Sequence, residues 1–200
     1  MDIVARNAAV ALHRRVTITR IVDEGVVTTL QARISARPEL RDAIRSADLI
    51  TITIGVNQIA QAAFRVTPGG CGSDDGSACV ARAERDFETS YGSMLAQLTR
   101  LRPSSKAAYR LLTSYDIAGL FRGSARTAFS AALRAKNRYT CAQAARRRMR
   151  CVDVYAAFNG ADGSRDPRES GLIVADGHPS ARGSATIAKL ILATGVAQPL

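Results

Sequence analysis

The sequence predicts an α/β fold in which helices cover both faces of a parallel sheet. Segments of strand-like composition alternate along the chain with segments whose apolar residues recur at helical spacing. Alternation of this kind is typical of parallel sheets, because each strand is followed by a helix that crosses back over the sheet. A length of 200 residues and a hydrophobic content of 46% suit one domain with a sizeable core. We therefore expect a single domain over residues 1–200.

Each element follows from its local pattern. Apolar residues at helical spacing predict helices over Asp2–Leu12, Thr28–Ile34, Pro38–Ala47, Cys79–Leu101, Ser124–Arg148 and Pro179–Ala193. Runs rich in β-branched or apolar residues predict strands over Arg15–Ile21, Asp48–Ile54, Ala107–Ser114 and Cys151–Ala156. Glycine, serine and aspartate predict loops over Gly55–Gln58, Pro68–Ser77 and Gly160–Gly171. Pro38 and Pro179 suit the first turns of their helices, and Gly195 lies just past the end of the last helix.

The chain is strongly basic, with a formal net charge of +11 that arises almost entirely from arginine. Such a charge permits binding to nucleic acid or to an anionic surface. The arginines are scattered, aromatic residues make up only 5%, and no zinc-finger or RNP-like motif occurs, so we expect no nucleic-acid partner. The densest run, Arg146–Arg150, is interpreted as a solvated helix face, with a binding patch as the alternative.

The cysteines indicate an exported protein. Three connectivities are possible for four cysteines, and local pairing of Cys71 with Cys79 and of Cys141 with Cys151 closes the shortest loops. Disulfides persist in oxidising compartments, so we expect a secreted or extracytoplasmic location. The chain opens without a signal peptide, which suggests an incomplete N-terminus. No apolar stretch approaches the roughly 20 residues that a membrane span needs.

A metal site is not expected. The sequence contains no CxxC pair, and its only histidines are His13 and His178. We therefore expect no metal ion and no cofactor.

Three predicted strand-end loops contain residues suited to acyl-transfer chemistry, and the loops of parallel strands converge at one edge of a sheet. Histidine is the usual general base near neutral pH, and His178 has the carboxylate of Asp176 two residues before it to fix its tautomer. The backbone N–H of Gly25 and the side-chain amide of Asn57 are candidate oxyanion donors. Individually, these residues also fit a turn glycine, a helix cap and a helix entry.

Two of these loops resemble conserved blocks of the SGNH/GDSL hydrolases. Residues 47–58, Ala-Asp-Leu-Ile-Thr-Ile-Thr-Ile-Gly-Val-Asn-Gln, resemble the GxND block, and residues 176–188, beginning Asp-Gly-His-Pro, resemble the DxxHP block with the last helix. Residues 152–160 and the local cysteine pairs resemble secreted bacterial members, and Gly25 falls where the second block has its glycine.

The resemblance implies a three-layer α/β/α sandwich with a flavodoxin-like parallel sheet, whose first strand this chain lacks. It also implies hydrolysis of carboxylic esters, such as lipids, small acyl esters or acetylated sugars, without a metal. Gly25 and Asn57 would then be the oxyanion donors and His178 the base, with Asp176 as its partner.

The sequence departs from the family pattern at several positions. The nucleophile motif Gly-Asp-Ser does not occur, and Ser35 and Ser46 lie in or beside predicted helices, without a strand end before them. Ala175 stands where the family has its aspartate, and Gln58 replaces the aspartate of GxND.

A further departure is that Asp23 and Glu24 precede Gly25, where negative charge opposes an oxyanion. We therefore expect an N-terminally truncated or decayed esterase, and these 200 residues on their own should be inactive. The main alternative is a non-catalytic domain that binds a polysaccharide or another cell-envelope ligand.

Overall fold

The computed structural model describes Ala9, residues 16–19, Ile21, residues 25–66, Cys71, Ser73, and residues 76–117 and 119–195. The helices are α1 (Val27–Ala36), α2 (Pro38–Ser46), α3 (Val56–Ala63), α4 (Ser77–Leu101), α5 (Gly123–Arg146), α6 (Val154–Asn159) and α7 (Ala181–Ala193). The strands are β1 (Leu49–Ile52), β2 (Ala108–Leu112) and β3 (Arg150–Val152).

The three strands form one parallel sheet in the order β1-β2-β3. Leu49 pairs with Ala108 at one end of the β1–β2 ladder, and Leu112 pairs with Val152 in the β2–β3 ladder. Every residue of the central strand β2 is buried. Because the strands are parallel, the loops that follow all three begin at the same, carboxyl edge of the sheet.

Side chains of the sheet alternate between two cores. Tyr109 and Leu111 belong to a core cluster with Phe87 and Tyr91 of α4, and Ala144 of α5 also lies in that cluster. On the opposite face, the core is formed by β2, β3, α6, α7 and the loop before α7, through Leu112, Val152, Phe158, Ile173 and Ile191. Helices therefore cover both faces, and the predicted three-layer α/β/α class is confirmed.

Most predicted elements are present within a few residues of their expected bounds. Two boundaries were wrong. The loop predicted over Gly55–Gln58 ends at Gly55, because α3 starts at Val56. The strand predicted over Cys151–Ala156 ends at Val152, because the Asp153 side chain accepts a hydrogen bond from the N–H of Ala156 at 3.0 Å and caps α6.

The strand predicted over Arg15–Ile21 is also wrong for the residues that the structure describes. Residues 16–19 and Ile21 are not in a strand, and Thr17, Ile18 and Thr19 are exposed. A strand exists only through pairing with a neighbour, so β-branched composition alone does not produce one. The predicted helix Asp2–Leu12, apart from Ala9, and most of the predicted loop Pro68–Ser77 lie outside the described residues.

Both predicted cysteine pairs form disulfides. Cys71 is bonded to Cys79, and Cys141 to Cys151, with Cα atoms 5.2 and 5.1 Å apart. The second disulfide joins α5 to β3. Within the described part of the chain, no helix is both long and apolar enough to cross a membrane.

Candidate active site

The loop after β1 is shaped by Gly55. Its φ of 93° lies in the left-handed region that favours glycine, and a Cβ at this position would be 2.3 Å from Cε2 of Phe87. The buried Phe87 ring therefore lies directly against the backbone at the start of α3. This close approach fixes the start of α3, and with it the position of Asn57 in the first turn of that helix.

Gly25 and Asn57 are in contact, although 32 positions separate 25 from 57 in the chain. A Cβ at Gly25 would lie 2.7 Å from Nδ2 of Asn57, so only glycine fits beside that amide. The N–H of Gly55 donates to the carbonyl of Gly25 at 3.0 Å and joins the two loops. The two predicted oxyanion donors thus lie side by side at the carboxyl edge. Asp23 and Glu24, predicted to oppose an oxyanion here, are outside the described residues.

The loop after β2 connects the sheet to the histidine loop. Asn137 of α5 holds Ser114, because its Oδ1 accepts from the Ser114 N–H at 2.8 Å and its Nδ2 donates to the Ser114 carbonyl at 2.7 Å. The hydroxyl of Tyr115 donates to the carbonyl of Gly177 at 2.9 Å. The ring of Tyr115 also stacks on Phe158, with centroids 4.6 Å apart. The residue before His178 is therefore anchored to the carboxyl end of β2.

Asp176 and His178 form a pair despite their shortened spacing. Oδ1 of Asp176 lies 3.1 Å from Nδ1 of His178 and accepts from the His178 backbone N–H at 3.0 Å. Hydrogen bonds from the backbone N–H and from the side chain of His178 hold the pKa of Asp176 below its usual range. Both side chains are solvent-accessible, so this pair contributes to orientation more than to stability.

The four predicted site residues thus form two contacting pairs. The pair Gly25 and Asn57 and the pair Asp176 and His178 both lie at the carboxyl edge of the sheet. Their assigned catalytic roles stay predictions.

Two cavities lie at or near this edge. One of about 280 Å³ lies beyond the ends of β2 and β3 and is lined by Thr113, Arg134, Asn137, Arg138, Cys141, Asp153 and Tyr155. The other, of about 760 Å³, follows α1, α3 and α4, and its lining includes Gln58 and Gln61. Gln58, which stands where the GxND block that this loop resembles has aspartate, donates through Nε2 to the Ala83 carbonyl at 3.2 Å. Its amide therefore ties α3 to α4.

Beneath the edge lies a buried lysine that the sequence pattern did not predict as part of the site. Lys136 of α5 is fully buried, and its Nζ donates to Oγ of Ser114 at 2.7 Å. Nζ also lies 5.5 Å from the centroid of the Phe87 ring. Burial lowers the pKa of Lys136 to about 7. The spacing of Lys136 could have indicated its burial, since it falls three residues after Leu133 on the buried face of α5.

This architecture is similar to that of several ester hydrolases of known structure. No family model and no curated protein matches the sequence. Solved structures that share the fold are lipases and acetylxylan esterases, which is consistent with the SGNH/GDSL resemblance. At identities of 18–19%, the likeness shows the fold alone.

Three of these structures show its extent. A lipase from a goat rumen metagenome superposes with a TM-score of 0.79 at 19% identity, over 100% of this chain and 88% of that chain. An extracellular lipase of Streptomyces rimosus gives a TM-score of 0.61 at 18% identity, over 96% and 86% of the two chains. The acetylxylan esterase Axe2 of Geobacillus stearothermophilus gives 0.58 at 19% identity, over 88% and 70%.

Proposed function

We propose that this chain belongs to a carboxylic ester hydrolase of the serine type and supplies the base and the oxyanion donors of its active site. The observation that carries the proposal is the placement of two residue pairs, Gly25 with Asn57 and Asp176 with His178, at one edge of a lipase-like and esterase-like sheet.

In this mechanism, Asp176 holds the proton of His178 on Nδ1, which leaves Nε2 to take a proton from an attacking hydroxyl. The Gly25 N–H and the Asn57 amide then donate to the oxygen on which negative charge develops. The same imidazolium returns its proton to the departing alkoxide. No metal ion takes part in this scheme.

The nucleophile is assigned to a serine outside these 200 residues, because the sequence contains no Gly-Asp-Ser motif. The chain alone is therefore expected to show no serine-dependent turnover. We also propose an extracytoplasmic location, supported by the two disulfides. The proposed substrates are carboxylic esters such as lipids, small acyl esters or acetylated sugars.

The test uses the natural protein isolated with its native termini. It should hydrolyse p-nitrophenyl acetate and be labelled by a fluorophosphonate probe. His178→Ala should lower kcat/KM by at least about 100-fold, because a positioned general base contributes that much. The matched control, His13→Ala, changes the other histidine and should retain activity.

The oxyanion assignment has its own variant. Asn57→Ala should lower kcat by about 100-fold with a small change in KM, since the lost hydrogen bond forms in the transition state. A fully active His178→Ala enzyme would remove this histidine from the mechanism. A natural protein without turnover or probe labelling would instead support the non-catalytic binding domain.

A further inference from the structure

Exposed apolar side chains gather beside the histidine loop. In the described part of the chain, four large apolar side chains are exposed: Ile18, Phe64, Leu120 and Val174. Phe64, Leu120 and Val174 are 65%, 37% and 46% exposed, and we call these three the apolar rim. Isolated exposed apolar residues need no explanation, but a contiguous set does.

The first half of the rim joins α3 to the loop after β2. The ring of Phe64, directly after α3, packs on that of Phe121 with centroids 4.7 Å apart. Leu120 directly precedes the buried Phe121 in the chain, so the exposed Phe64 and Leu120 lie in neighbouring parts of the surface.

The second half of the rim reaches His178. Cδ1 of Leu120 lies 3.7 Å from the position of a Cβ on Gly177, which precedes His178. The N–H of Val174 donates to the carbonyl of His178 at 2.8 Å. Through Phe121, Gly177 and His178, the three rim residues are thus linked to the loop that contains the proposed base.

Arginines accompany the rim. Arg65 and Arg122 are exposed and follow Phe64 and Phe121 directly in the chain. Nη2 of Arg168 donates to the Ala175 carbonyl at 3.2 Å, beside Val174. The nearby carboxylate of Asp176 is engaged by His178, and the whole chain has a net charge of +11. The rim therefore combines insertable apolar groups with cations.

We propose that the apolar rim docks onto an anionic lipid surface. Aromatic and aliphatic side chains enter the boundary between headgroups and acyl chains, and arginines bind lipid phosphates. Such docking would present ester-bearing lipid to the His178 edge. That consequence rests on the proposed function, whereas the docking itself requires no turnover.

The direct test places a fluorophore on the rim. The chain contains no tryptophan, so Phe64→Trp provides a single indole and keeps an aromatic ring against Phe121. With phosphatidylglycerol vesicles, its emission should shift to shorter wavelength and be quenched by brominated acyl chains. Phosphatidylcholine vesicles should produce little change. Lys106→Trp, exposed just before β2 at the opposite edge, is the matched control and should not respond.

Charge reversal tests the second component. Arg65→Glu with Arg122→Glu should weaken binding to phosphatidylglycerol vesicles at least tenfold, with the far-ultraviolet circular dichroism unchanged. The control pair, Arg100→Glu with Lys106→Glu, makes the same charge change at the amino edge of the sheet and should alter binding less than twofold.

Three results would overturn the proposal: no response of the Phe64→Trp indole to anionic vesicles, equal weakening by both charge-reversed pairs, or a spectral shift that grows with protein concentration without lipid. The last result would assign the rim to self-association. If the natural protein with its native termini binds vesicles but has no esterase activity, the proposed function alone is contradicted. Esterase activity in a protein that ignores vesicles would sink the docking alone.

Discussion

At the scale of single residues, the unusual group is Lys136. An ammonium group without water loses its hydration, and the hydroxyl of Ser114 and the face of Phe87 replace only part of it. This cost explains why the pKa of Lys136 falls to about 7. Lys136 thus connects the interior of the protein to the loop after β2, because its Nζ contacts Ser114 in that loop.

The lowered pKa of Lys136 predicts a stability that rises with pH. The folded chain releases the proton near pH 7, whereas an unfolded lysine holds it to about 10.4. Between these values the unfolded state binds more protons, so the free energy of unfolding should increase from about pH 7 upward. Lys136→Met should remove this pH dependence. Its gain in stability over the wild-type chain should be largest at pH 6, where the buried lysine of the wild-type chain is charged. Urea unfolding at pH 6, 7.5 and 9 measures both effects.

Lys106→Met is the control for Lys136→Met, because it removes an exposed lysine. It should leave the pH profile of the wild-type chain in place. Parallel profiles for the wild-type and Lys136→Met proteins would contradict the assignment.

At the scale of secondary-structure elements, the start of α3 decides where Asn57 lies. The short loop after β1 ends in a left-handed glycine, Gly55, with the Phe87 ring of α4 directly behind it. Helix start, sheet edge and long helix are therefore packed as one unit. A bulkier residue at position 55 would move all three.

Gly55→Ala should destabilise the fold by about 3 kcal/mol, from backbone strain at positive φ together with the clash against Phe87. Gly171→Ala is the matched control, since Gly171 has φ 67° and no atom within 4 Å of an added Cβ. It should cost only the strain, about 1 kcal/mol. Equal losses in urea unfolding would show that the Phe87 contact is unimportant.

At the scale of the whole molecule, the Cys141–Cys151 disulfide ties a covering helix to the sheet. It joins α5 to β3 across a sequence separation of 10. A bridge over so short a loop restricts the unfolded chain modestly, by about 3 kcal/mol. The crosslink nevertheless stabilises the attachment of α5 to the edge strand β3 of the three-stranded sheet that the structure describes.

Replacing both Cys141 and Cys151 by serine should therefore lower the free energy of unfolding by about 3 kcal/mol. The measurement is urea unfolding without reductant. In dithiothreitol, which reduces both bridges, the variant and the wild-type chain should have the same free energy of unfolding. A variant as stable as the oxidised wild-type protein would contradict this prediction.

Much of the architecture was predictable from the sequence, because it depends on local patterns. Helical spacing located α4 and α5, and the β-branched run Asp48–Ile54 located β1. The same reasoning failed at residues 15–21, where strand-like composition has no strand to accompany it in the described residues. Composition records a preference, whereas pairing with a neighbour makes the strand.

The sequence alone predicted the α/β alternation, favoured the local cysteine pairing among three connectivities and pointed to the four candidate site residues, since each rests on local patterns in the chain. Only the tertiary structure decided that Gly25 touches Asn57, that Tyr115 anchors the histidine loop, and that Lys136 lies under the sheet edge. Such contacts join distant segments, and they depend on how side-chain volumes fit when the layers pack. No local pattern encodes that fit.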